Sequence, residues 1–220
     1  MVVTPSRQAG SSDAFRQLLE LNYRKRSLVH LEAGSQVPLL RQSIWLVVRG
    51  MVKLGAITIH GDDLLLGLAG PNEPFGESLT DVQAFEARTL CATDLLCLSC
   101  EEIRQDPALA YAMLQAVTAR HRQSQALLAL LALRRVEERV RGFLELLAAE
   151  YGQPCDEGLR LDLRLTHQDL ASALSTTRVT VTRVIGLLRE EGWLLIDRQR
   201  RLVLRPLPPP PRGGGTLPLR

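Results

Sequence analysis

Apolar positions between Leu165 and Arg189 recur in two short helical registers separated by a polar break. Leu170, Ala173 and Leu174 share one face, with the small Ala171 beside them, and Val181, Val184, Ile185 and Leu188 share a second. Ser175-Thr176-Thr177, between the two, is a run of turn and N-cap residues. The pattern predicts two helices joined by a tight turn, the first beginning at Thr166 or His167: a helix-turn-helix unit. Upstream the period changes. Short apolar or alternating runs at 27–32, 44–48, 51–59, 63–68 and 87–98, separated by turns at Gly34, Gly50, Gly61 and Gly70, predict an antiparallel barrel or roll.

Helical spacing returns at 107–133, opened by Asp106-Pro107, and at 136–150, where Val140, Phe143, Leu144 and Leu147 fall at core spacing before Tyr151-Gly152-Gln153-Pro154 ends the run. Apolar runs at 193–196 and 201–204 flank the polar turn Asp197-Arg198-Gln199-Arg200, which predicts a β-hairpin wing. Residues 13–23 read as a short helix after a polar start, and the tail from Pro206, with its PPPP and GGG, cannot build a core. The expected class is α+β: a sensory antiparallel β-roll (jelly roll) at 1–106, a long dimerisation helix at 107–134, a winged helix-turn-helix at 135–206 and a disordered tail at 207–220.

Along the long helix, Ala110, Leu114, Val117, His121, Ser124, Leu128 and Leu131 follow alternating steps of four and three, the spacing of a coiled-coil seam. Two readings stay open. The stripe either joins two copies, with Leu114, Val117, His121, Leu128 and Leu131 as the dimer seam, or packs on its own roll. Polar residues in its middle suit a buried site or a register device.

On the second short helix, Arg178, Val179, Thr180, Thr182, Arg183 and Gly186 are not needed for burial. Such residues at a helix start can reach base edges: Arg donates two hydrogen bonds to guanine, Val or Thr methyls meet the thymine methyl, and Thr hydroxyls hold phosphates. Charge supports this placement. The whole chain is only +3, yet residues 160–205 hold nine Arg against five Asp/Glu.

Composition narrows the class. A chain of 220 residues with 45% hydrophobic content has room for two cores. No run of eighteen apolar residues predicts a membrane span, and the N-terminus lacks a secretory signal, so a cytoplasmic protein with reduced thiols is expected. Cys97 and Cys100 have CxxC spacing but read as a strand end in a core, and Cys91 and Cys155 complete no metal site. His30, His60, His121 and His167 are scattered, so no metal and no catalytic residue is assigned.

THQDLASALSTTRVTVTRVIGLLREEG resembles the DNA-binding motif of the cyclic AMP receptor protein and FNR family, and TRVTVTR is similar to that of the family's cyanobacterial global nitrogen regulators. WLVVRGMVKL and PNEPFGESL resemble a hairpin and a pocket segment of the family's effector-binding roll. The resemblance covers about residues 24–205. It implies a transcription regulator that binds double-stranded DNA as a homodimer on a palindrome similar to GTA-N8-TAC, with RNA polymerase as a further partner and a role in nitrogen or sulfur nutrient response. Arg178, Val179 and Arg183 match the base-reading positions. Thr166, His167, Gln168, Thr177, Thr180, Thr182, Arg198 and Arg200 complete the expected DNA contacts. Ser175 stands where the family's turn carries Gly.

An unidentified small-molecule effector is also implied, with no certain cofactor. Arg120 matches the arginine with which the nitrogen regulators hold 2-oxoglutarate, Ser124 a cyclic-nucleotide-contacting Thr, and Gln125 a Glu; Gly76 and Glu77 match the roll side. Phe85 falls where the anion-pairing Arg is expected, and Arg88, three residues on, faces the pocket only if a bulge or loop intervenes. Tight binding of cyclic AMP or 2-oxoglutarate is therefore not expected. The alternatives are a cupin-like enzyme on a β-roll, for which metal ligands and a nucleophile-base pair are missing, and a protein-interaction module.

Overall fold

The computed structural model describes residues 27–61, 63–163 and 165–205; the expected helix at 13–23 and the tail from 206 lie outside them. Two antiparallel sheets make the roll. One has the order β1-β7-β2-β5, from Val29–Leu31, Thr93–Ser99, Ser43–Arg49 and Pro74–Phe75; the other has β4-β3-β6, from Asp63–Ala69, Val52–Ile57 and Phe85–Thr89. Trp45, Val47, Val52, Leu54, Phe75, Ala87 and Leu95 pack between them. Strands β2 and β7 send Trp45, Val47 and Leu95 into this layer and bury Ile44, Leu46, Leu96 and Leu98 on their other face, so both read as apolar runs in the sequence.

Two sequence expectations are corrected by how the chain passes between these sheets. The segment 45–54 is not a hairpin: β2 pairs with β5 and β7, whereas β3 pairs with β4 and β6. The run 87–98 is likewise two strands, β6 and β7, in different sheets. The corners lie side by side. Leu90 N donates to Met51 O (2.8 Å), and Met51 N donates to Thr93 Oγ1 (3.3 Å). Gly50, at φ 95°, has no room for a side chain, since a Cβ would come within 2.4 Å of Thr93 Oγ1.

Helix α1 (Cys100–Gln105) starts with a capping box from Ser99 and Glu102, and α2 (Pro107–Leu131) is capped by Asp106, which accepts from the Ala108 and Leu109 amides. The α2 face formed by Leu109, Ala112, Met113 and Ala116 packs on Ile44, Leu46, Leu96 and Leu98 of the roll. Helix α3 (Val136–Tyr151) crosses α2 closely at Gly142, where a Cβ would meet Leu130 Cδ2 at 2.4 Å.

Past α3 comes a hairpin that the sequence pattern did not predict, β8 (Gly152–Cys155) with β9 (Gly158–Leu161). Its strands are short and half polar, so they carry little periodic signal. They join β10 (Leu194–Ile196) and β11 (Leu202–Leu204) in a sheet of order β10-β11-β9-β8, so the expected wing belongs to four strands. Helices α4 (His167–Ala173) and α5 (Arg178–Glu190) complete the winged helix-turn-helix. Its core residues Val140, Phe143, Leu170 and Ala171 are continuous with Met51, Leu65 and Leu68 of the roll.

Candidate DNA-binding surface

The turn between α4 and α5 is built around Ser175. Its φ of 50° lies in the left-handed region, and Thr176 N closes the helix end on Ala171 O (3.1 Å). Ser therefore takes the conformation for which Gly is favoured, at some strain. Thr177 caps α5 by accepting from Thr180 N at 3.2 Å. Val181, Val184, Ile185 and Leu188 are buried, so the start of α5 leaves Arg178, Val179, Thr182 and Arg183 on an open face, with Val179 79% exposed. Thr180 is half-buried.

Thr182 Oγ1 donates to Arg178 O (2.9 Å) and therefore accepts from His167 Nδ1, 2.8 Å away. This bond ties the exposed start of α4, where Thr166, His167 and Gln168 stand, to the open face of α5. Thr166 and Asp169 form a reciprocal capping box: Asp169 N donates to Thr166 Oγ1 (3.1 Å) and Thr166 N to Asp169 Oδ2 (2.9 Å). Across the polar turn of the wing, Asp197 Oδ1 accepts from Gln199 N and Arg201 N, both at 2.8 Å. Arg198 and Arg200 stand exposed at the tip, whereas Arg201 is paired with Asp162.

Sequence reading missed a contact that sets where this surface sits. Lys53 Nζ, on β3, donates to Asp169 Oδ1 at 2.6 Å. Burial alone would raise the Asp169 carboxyl, but the hydrogen bonds from Lys53 and Thr166 overcome it and hold the group below its ordinary range. Only the Thr-x-x-Asp spacing hinted at the role of Asp169, and nothing local pointed to Lys53.

The expected effector residues do not converge on one cavity. Arg88 points outward: the β3–β6 pairing runs without a bulge, Ala87 and Thr89 are buried, and Arg88 Nη1 donates to Gly34 O at 3.2 Å. Gly76 lies against Ser43 O, and Glu77 is exposed on a 3-10 turn. Arg120 is engaged by its own chain, donating to Leu68 O and lying 3.7 Å from Glu73. Ser124 lines a cavity of about 10 Å³ between β4, α2 and α3, room for about one water, and Gln125 is exposed.

On α2 the expected seam also divides. Val117 and Leu131 lean on the chain's own core. The outward row is Tyr111, Leu114, Thr118, His121, Gln125 and Leu128, with Leu114 63% and Leu128 60% exposed. No helix among the described residues is long and apolar enough to cross a membrane, and none of their His, Cys, Asp and Glu side chains gather into a metal-binding group.

Residues 138–207 match the Crp-like helix-turn-helix domain family. A global nitrogen regulator of Nostoc is 31% identical over 175 residues, 76% of this chain and 78% of that protein. The regulatory protein CysR of Synechococcus elongatus is 33% identical over 172 residues, covering 77% and 79% respectively. Among solved structures, a CRP/FNR-family transcriptional regulator from Thermus thermophilus superposes with a TM-score of 0.66 at 26% identity, over 82% of this chain and 94% of that one. The chain belongs to the cyclic AMP receptor protein and FNR family of DNA-binding transcription regulators.

Proposed function

We propose that the chain acts as a homodimer that reads a palindrome similar to GTA-N8-TAC, places two α5 helices in successive major grooves, and works with RNA polymerase in a nitrogen or sulfur response. The observation that carries the base-reading assignment is the open face of α5, where Arg178, Val179 and Arg183 project with no partner role in the core. Thr166, His167, Gln168, Thr177, Thr180 and Thr182 border the DNA backbone around it, and Arg198 and Arg200 add backbone contacts from the wing. The names of the nitrogen and sulfur regulators among its relatives support the physiological part.

Dimerisation follows the outward row of α2, whose alternating three and four spacing matches a two-stranded seam. For the effector, Arg120 is already neutralised by Glu73, so neither cyclic AMP nor 2-oxoglutarate binds tightly. Gel-shift titration on permuted half-sites tests the base assignment. Arg178→Ala and Arg183→Ala are each expected to lose about 1–3 kcal/mol of discrimination. Equal affinity for scrambled duplexes rules it out.

A further inference from the structure

Where α2 meets the end of α3, five polar side chains from three elements form one connected group beneath the roll. From the turn between β4 and β5, Glu73 Oε2 accepts from Gly70 N (2.8 Å) and from Tyr151 OH (2.8 Å). From α2, Gln123 Nε2 donates to Tyr151 OH (2.8 Å) and to Glu150 Oε2, and its Oε1 accepts from Arg120 Nη1 (3.2 Å). Glu150 and Tyr151 are the last residues of α3, the first helix of the winged unit. The group therefore spans the junction between roll and winged unit.

The backbone beside it is cleared for these contacts. A Cβ on Gly70 would stand 2.6 Å from the Tyr151 ring, and one on Gly67 would stand 3.4 Å from Arg120 Nη2. The charges do not balance, because two carboxylates face one guanidinium. Arg120 and Glu73 are only 15% and 23% exposed, so water compensates little of the excess.

We propose that Glu73, Arg120, Gln123, Glu150 and Tyr151 form a proton-operated latch between the roll and the winged unit, closed by one proton on the Glu73/Glu150 pair and loosened when that proton leaves. Protonation cancels the excess negative charge and leaves every bond named above in place. The groups acting on Glu150 are Glu73 from the β4–β5 turn, Arg120 and Gln123 from α2, and Tyr151 beside it. Burial pushes its carboxyl up, the Gln123 hydrogen bond opposes this and the Glu73 charge adds to it, giving about 7 against an ordinary 4.5. Burial likewise raises Glu73, against the Gly70, Arg120 and Tyr151 contacts.

The closed form binds more protons between pH 4.5 and about 7, so closure weakens as pH rises through that window and levels off above it. Between pH 5.5 and 7.5 the closing equilibrium is expected to fall about twentyfold.

Native-state hydrogen exchange on the full chain, corrected for intrinsic base catalysis, reads this without DNA. Protection of the Gly70 amide is expected to drop about twentyfold from pH 5.5 to 7.5, while the Leu96 amide in the roll does not follow it. Glu150→Gln, which keeps the acceptor for Gln123, is expected to hold protection high and flat. Glu145→Gln, on an exposed position of the same helix, keeps the wild-type profile. Tyr151→Phe loses the bond to Glu73 and lowers protection at both pH values. Carbon-13 titration of the wild-type glutamate side chains supplies a readout that needs no variant, with Glu150 expected to titrate near neutrality. Gly70 protection that does not change with pH in the wild type, a Glu150→Gln profile that tracks the wild type, or ordinary titration of both Glu73 and Glu150 overturns the latch.

Discussion

Lys53 Nζ lies 2.6 Å from Asp169 Oδ1, so a strand of the roll holds the carboxylate that caps the first helix of the DNA-binding motif. Both side chains are largely buried, and removing one leaves the other without its charge partner. Lys53→Met is expected to destabilise the protein by roughly 1.5–3 kcal/mol, measured by urea unfolding near neutral pH. The Asp169 carboxyl lies below its ordinary 3.8, so the pair's contribution is complete above that pH and is lost as pH falls through the lower folded value. The gap between Lys53→Met and wild type should accordingly shrink in acid. A gap constant down to pH 2 contradicts the pair.

The left-handed φ of 50° at Ser175 marks a position where Gly relieves strain. Ser175→Gly is expected to stabilise the fold by roughly 0.5–1 kcal/mol, after the added entropy of the unfolded chain is subtracted. Thermal unfolding reads this as a rise in Tm. A lower Tm shows that the serine hydroxyl contributes more to the turn than its backbone costs.

Leu128 is 60% exposed on α2 and lies outside the chain's own core clusters. Leu128→Arg is therefore expected to leave the unfolding of the isolated chain nearly unchanged while breaking the proposed dimer, because a buried unpaired charge costs several kcal/mol. Sedimentation at micromolar concentration decides it. A variant that still sediments as a dimer moves the interface away from the outward row.

Arg198 and Arg200 stand exposed at the wing tip, whereas Arg201 is paired with Asp162. Arg198→Ala and Arg200→Ala should each weaken binding equally on specific and scrambled duplexes and reduce the slope of log affinity against log salt by about 1. Arg201→Ala should instead lower stability. A change of base preference in either tip variant assigns the wing to sequence reading.

The sequence by itself determined the helix-turn-helix, the long helix and the strand-rich first half, because those signals are local. Thr166 and Thr177 cap helices within three residues of their partners, and Val181, Val184, Ile185 and Leu188 fall on one face of a single helix. Only the tertiary structure decided that the chain changes sheets at Gly50 and again after Thr89, since an apolar run looks alike on either side of a corner. It also separated the two sides of α2, as helical spacing marks an apolar face without saying which surface covers it. Lys53 with Asp169, and Glu73 with Arg120, Glu150 and Tyr151, come from segments far apart in the chain. No local period records such pairs; they arise because docking the winged unit on the outside of β4 buries charged groups that must then find each other.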